Sequence, residues 1–188
     1  MKKLIIVLVV ISTILIPESL FAHGSHGTGF MAGFTHSAFG VDHLLAILGV
    51  SIFGFALFEN KPWLPSASFI TAMLIGGIIG MQTAAFSITE IIIGLSVIII
   101  GALISYEVKF SNLIAILLFA FFGFFHGHAH GIEMPKASNA PLFVLGFLLA
   151  ALSVSALGWG ISKLIKEKTQ LRILGAFLAG IGLALFLG

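Results

Sequence analysis

From Phe30 to the C-terminus the chain is a succession of apolar runs of bilayer length, separated by short polar breaks. A helix crosses the hydrocarbon core with roughly 20 apolar residues, and it satisfies its own backbone polar groups where no water is present. Six such spans are read at about 30–58, 67–86, 89–107, 111–130, 140–161 and 170–187. The breaks have chemical causes. Residues 59–65 form a polar turn bracketed by Pro62 and Pro65 and carrying Trp63, a residue favoured at membrane interfaces. Residues 107–109 and 163–170 are charged, and 131–141 contain Gly131, Pro135, Asn139 and Pro141. Ser87, Thr89 and Glu90 make the weakest break. Only 9% of residues are Asp, Glu, Lys or Arg, against about a quarter in soluble domains. The expectation is an all-α, polytopic membrane protein with a single six-helix domain over residues 23–188.

Lys2 and Lys3 precede an apolar run from Leu4 to Ile16, which Pro17 ends, and Leu20-Phe21-Ala22 follows as a cleavage site. This is the layout of a secretory signal peptide, read here as residues 1–22. An uncleaved signal anchor is the alternative, and both readings leave His23 outside. With His23 outside, Lys61, Lys109, Lys163, Lys166, Lys168 and Arg172 fall on the inner side and Lys136 alone on the outer, a positive-inside bias. The even span count then puts the mature N-terminus and the C-terminus both on the outer, periplasmic face of a bacterial inner membrane. The outer side collects His23, His26, Glu90 and Glu133.

Several function classes drop out. Clustered Lys and Arg with exposed aromatics, the mark of a nucleic-acid surface, are absent. With no cysteine there are no disulfides and no thiolate sites. No G-x-x-x-x-G-K-[ST] loop is present for ATP hydrolysis. No prosthetic group is called for, and assembly as a homo-oligomer is compatible with these features.

What remains is histidine. The seven lie in three groups, His23/His26, His36/His43 and His126/His128/His130. Asp42 sits beside His43 inside the first span, where an ionised side chain costs about 2.5–3.5 kcal/mol even on lenient scales. In a regular helix His43 lies roughly 20 Å below Phe30 and shares a face with His36, two turns away, while Asp42 points about 100° aside. Gly40 is a place where that regularity can fail. His126 and His130 form an i,i+4 pair on one face, and Gly123, Gly127 and Gly131 make an adjoining stripe that lets another helix come close. His128 points elsewhere and is read as a rim or outer residue of the metal site. Span one enters from outside and span four ends there, so both histidine groups fall in the outer half of the membrane. Imidazole and carboxylate without thiolate suit Ni(II), Co(II) or Zn(II). His23 and His26 are read as gathering the ion at the mouth.

The stretch Thr35-His36-Ser37-Ala38-Phe39-Gly40-Val41-Asp42-His43 resembles the first signature of the HupE/UreJ family of nickel permeases, a His, five residues, then Asp-His. Residues 125–135, Phe-His-Gly-His-Ala-His-Gly-Ile-Glu-Met-Pro, resemble its second signature almost throughout. Ser37 departs from the usual proline. The resemblance covers nearly the whole chain. It implies a secondary carrier or facilitator taking up Ni2+, or Co2+, with His36, Asp42, His43, His126, His130 and Glu133 as matching metal-site residues. It also implies supply of a nickel enzyme such as hydrogenase or urease. Two other readings stay open on the residues alone. One is an intramembrane metallohydrolase with Glu133 or Asp42 as base, although the H-E-x-x-H spacing is absent. The other is a metal sensor or structural membrane protein without transport.

Overall fold

The structure, a computed structural model, describes residues 29–58, 60–134 and 139–187. The expected signal peptide and the His23/His26 pair lie outside the described residues. Among the described residues all regular elements are α-helices: α1 Phe30–Phe39, α2 Val41–Leu57, α3 Leu64–Gly80, α4 Thr89–Ser105, α5 Asn112–Glu133, α6 Ala140–Leu164 and α7 Lys168–Leu187. Local chemistry sets several starts. Ser111 Oγ accepts from Ile114 N–H to cap α5, Asn139 Oδ1 accepts from Leu142 N–H to cap α6, and proline stands in the first turn of α3 and α6.

The helices α5, α6 and α7 hold 22, 25 and 20 residues and are apolar and long enough to cross a bilayer, and α1 with α2 makes a fourth, bent candidate. Helices α3 and α4 are apolar with 17 residues each, about 26 Å long at 1.5 Å per residue. Large apolar side chains such as Ile75, Ile91, Leu113, Leu117, Leu149 and Leu183 point outward and are exposed. Apolar exposure on this scale is the surface of a membrane protein.

One expectation is corrected. The first span is not a continuous helix: α1 and α2 meet at Gly40 with a 71° bend. Gly40 is extended (φ −62°, ψ 110°), its N–H closing α1 on His36 O and its carbonyl opening α2 by accepting from Leu44 N–H. The two-turn argument that put His36 and His43 on one helical face therefore does not apply. The two rings instead reach His130 from either side of the break.

Packing is led by glycine. Helix α5 lies against α3, α4 against α7, and α1 and α2 against α6. A Cβ on Gly123, Gly127 or Gly131 would fall on the carbonyl oxygens of Phe69, Met73 or Gly77, and one on Gly76 or Gly80 on those of Phe124 or His128. The two stripes thus interlock at backbone contact, as small-residue faces do in lipid. Below this level Leu45, Ile47, Phe53, Ile100 and Phe119 fill the centre.

The two ends differ in charge. Where α4 ends and α7 begins, Arg172 Nε donates to Glu107 Oε1 at 2.7 Å and Lys168 Nζ lies 3.7 Å from Glu107 Oε2. At the same end Lys163 Nζ sits 3.8 Å over the Trp159 ring. At the other end, α5 finishes on Glu133 and α4 starts beside Glu90.

Candidate metal centre

Four imidazoles from three helices form a line. His36, on α1, lies with its ring centroid 4.8 Å from that of His130, on α5; His130 is 4.0 Å from His43, on α2; and His43 is 4.6 Å from His126, one turn before His130 on α5. His126 and His130 are 0% and 1% exposed and His43 is 6% exposed. Burying an imidazole nitrogen without a partner costs about 1–3 kcal/mol, and such groups are nearly always satisfied. Here His43 Nε2, His126 Nδ1 and both nitrogens of His130 are buried with no hydrogen-bond partner of good geometry. Neutral His130 carries a proton on one of its nitrogens, so the cluster offers up to three bare imidazole lone pairs, a donor set that suits a divalent cation.

Each end of the line carries a carboxylate. His36 Nε2 donates to Glu133 Oε2 at 2.8 Å, and both side chains are partly exposed. His43 Nδ1 donates to Asp42 Oδ1 at 2.6 Å, and the same oxygen accepts from the His43 backbone N–H at 2.8 Å. Asp42 therefore does not point away from His43 as in a regular helix; it occupies the first turn of α2, where an anion is also favoured by the helix dipole. A carboxylate is an acceptor only, so it holds His43 in the Nδ1–H tautomer and leaves Nε2 as the free lone pair. In this geometry Asp42 meets the cluster by way of His43.

Donor spacing bears on a metal. Two bonds of about 2.1 Å meeting near a right angle separate their donor atoms by about 3 Å, close to the His36–Glu133 distance. Donor atoms of His36, His130 and Glu133 all lie within 4.8 Å of one another. Two opposed bonds reach only about 4.2 Å, so the wider of these gaps must close by several tenths of an ångström for all three to share one ion.

Of the residues singled out in the sequence, His36, His43, His126, His130, Asp42 and Glu133 converge. His128 does not: it stacks on Phe86 at 4.2 Å and 3°, and its Nε2 donates to Thr83 Oγ1 at 2.9 Å, against the C-terminal end of α3. Sequence reading placed Glu90 on the outer side without assigning it to the site, and it missed Phe147 and Ser96. Glu90 lines, with Asp42, an open cleft of about 500 Å³ between α2, α4 and the end of α7. Phe147, on α6, sets its edge against His130 at 4.6 Å. Ser96 hydrogen-bonds His126 Nε2 at 2.8 Å. The one signal for Ser96 was a lone hydroxyl in the isoleucine-rich run 91–100.

The family described as HupE / UreJ protein has a model that matches residues 11–185 of this chain. Protein HupE of Rhizobium leguminosarum bv. viciae is 34% identical over 182 residues, covering 95% of each chain. No solved structure matches the chain.

Proposed function

Because the chain belongs to the HupE/UreJ family, a family of transporter type associated with nickel and cobalt uptake for hydrogenase and urease, we propose that it is a carrier bringing Ni2+, with Co2+ as a second cargo, across the bacterial inner membrane. The observation that carries this reading is the line His36–His130–His43–His126 with its unpartnered buried nitrogens. An ion shared by His36, His130 and Glu133 has His130 in common with the next pair of rings. It can pass to His43 and His126 by exchanging one imidazole at a time. Two partial sites in sequence suit conduction, which requires each site to be weak enough to leave.

Six crossings are part of the proposal. Helices α3 and α4 reach the lower end of spanning length and lie locked against α5 and α7, which are longer. The end rich in Lys and Arg faces the cytoplasm, so Glu90, Glu133 and both termini face the periplasm. His23 and His26 gather ions there, and the cleft beside Asp42 and Glu90 offers a second approach lined by two carboxylates. Two charges moving through 100 mV gain about 4.6 kcal/mol, near a thousandfold in concentration ratio, so the membrane potential suffices as driving force. A hydrolase reading needs a carboxylate free to act as base. In the cluster one oxygen of each carboxylate is engaged by an imidazole, which favours the carrier reading.

The test is radioactive nickel uptake into proteoliposomes with an inside-negative potential. Time-dependent accumulation is expected, and His130→Ala, which interrupts the line at its shared ring, abolishes it. Nickel binding by the wild type without accumulation would overturn the carrier reading in favour of a sensor.

A further inference from the structure

We propose that Ser96 is a positioning residue: it holds His126 in the Nε2–H tautomer and thereby assigns Nδ1 as the atom that His126 offers to the metal. The inference rests on the carrier reading for its cargo, whereas the tautomer follows from the hydrogen bonds of Ser96 and His126 themselves.

Ser96 stands in the middle of α4, fully buried. Its Oγ is 2.7 Å from Ile93 O and 2.8 Å from His126 Nε2. A hydroxyl has one proton to give and lone pairs to accept with. Ile93 O is a carbonyl and can only accept, so the proton goes there, the usual local bond of a helical serine. Ser96 Oγ then accepts from His126, which requires Nε2–H. Neutral imidazole carries one proton, so Nδ1 bears the lone pair, and that atom is buried without a partner.

The neighbouring ring is fixed the opposite way. Asp42 takes Nδ1–H of His43 and leaves Nε2 bare. Two rings with centroids 4.6 Å apart are thus held in complementary tautomers by two different outer groups, a carboxylate on α2 and a hydroxyl on α4. His128 shows that a hydroxyl bond alone does not make a ligand. Thr83 donates to Ile79 O and accepts from His128 in the same manner, yet that ring stacks on Phe86, away from the other imidazoles. What distinguishes His126 is the second imidazole beside it. Outer-shell partners of metal-bound histidines typically contribute 10–100-fold to metal affinity.

The experiment uses the full-length protein with isotope-labelled histidine, His126 signals being assigned by their loss in His126→Gln. Metal-free wild type is expected to show a protonated Nε2 and a bare Nδ1 at His126. In Ser96→Ala neither nitrogen has a partner, and the single tautomer is lost. Ser96→Thr keeps the hydroxyl and restores it. In parallel, Ni2+ binding isotherms are expected to weaken at least tenfold in Ser96→Ala and to recover in Ser96→Thr. A protonated Nδ1 in the wild type overturns the proposal, as does an unchanged tautomer or unchanged nickel affinity in Ser96→Ala. A wild type with the expected tautomer that binds no nickel overturns the carrier reading and supports the assignment of Ser96 to the His126 tautomer.

Discussion

Replacing Asp42 separates two roles that a carboxylate beside a histidine can play. If Asp42 works through His43, what matters is an acceptor at Oδ1, which takes both the His43 ring Nδ1–H and the His43 backbone N–H. Asp42→Asn keeps an acceptor oxygen of the same reach but loses the charge. Hydrogen bonds to a charged group are worth about 1.5–3 kcal/mol net and neutral ones about 0.5–1.5. The asparagine variant should therefore weaken nickel half-saturation by about 1.5 kcal/mol, near tenfold. Asp42→Ala loses the same charge and also strands two N–H groups, for about 3 kcal/mol, roughly a hundredfold. Since both variants lose the charge, the tenfold gap between them isolates the hydrogen bonds. The assay is radioactive nickel uptake into proteoliposomes over a concentration series, normalised to inserted protein. Equal defects in the two variants would refute the reasoning: they would mean that Asp42 binds the ion directly, a task for which an amide oxygen is a poor substitute.

Three further outcomes follow from the packing. His128→Gln should leave nickel half-saturation within about twofold, because the ring lies off the line of imidazoles, while losing the Phe86 stacking and lowering stability by about 1 kcal/mol; thermal unfolding in detergent reads the second effect. Gly127→Val should prevent stable insertion, its Cβ falling on Met73 O, whereas Gly160→Val, with open space around it, should express as wild type in membrane fractions. Gly40→Ala should favour a straight helix by about 1 kcal/mol and weaken nickel binding several-fold by drawing His36 away from His130; isotherms on the purified variant check this, and unchanged affinity would show that the bend does not position His36.

Periodicity and spacing made much of this protein legible. Apolar run length located most helix ends within about three residues but ran the second span to 86, where α3 ends at Gly80; the i,i+4 offset placed His126 with His130 while turning His128 away. The Gly123/Gly127/Gly131 stripe was legible as a packing face, although its partner α3 meets mainly backbone there while the imidazoles look toward α1, α2 and α4. The break at Gly40 was less legible, since a single glycine in an apolar run is tolerated in many helices and no proline marks the place. The role of Asp42 followed from that break, because only the start of a new helix lets its carboxylate reach the His43 backbone N–H. Ser96 was hidden for a different reason. A hydroxyl 30 residues from its partner leaves no periodic trace, and only the meeting of α4 with α5 gives it meaning.

The same geometry limits how transport can proceed. The imidazole line starts at the end that carries Glu133 and reaches His126, beside Phe69 at 5.3 Å. Beyond it toward the cationic end stand Ile47, Phe53 and Phe119, each at most 2% exposed, and the polar atoms among them are the hydroxyls of Ser51, Ser66 and Ser155, which hydrogen-bond one another and are too few to replace an ion's hydration shell. A dication cannot cross such a plug by thermal leakage, because stripping its water in a medium of low dielectric costs tens of kcal/mol. The carrier reading therefore requires a second packing in which this plug parts. Helix α5 is clamped to α3 by interlocked glycines, so these two must move together. The seam between that pair and α2 carries the contacts of His43 with His126 and His130 and, nearer the cationic end, the Ser51–Ser66 hydrogen bond. On that reading, an ion that draws His43 and His126 together would act directly on that seam and so couple binding to opening.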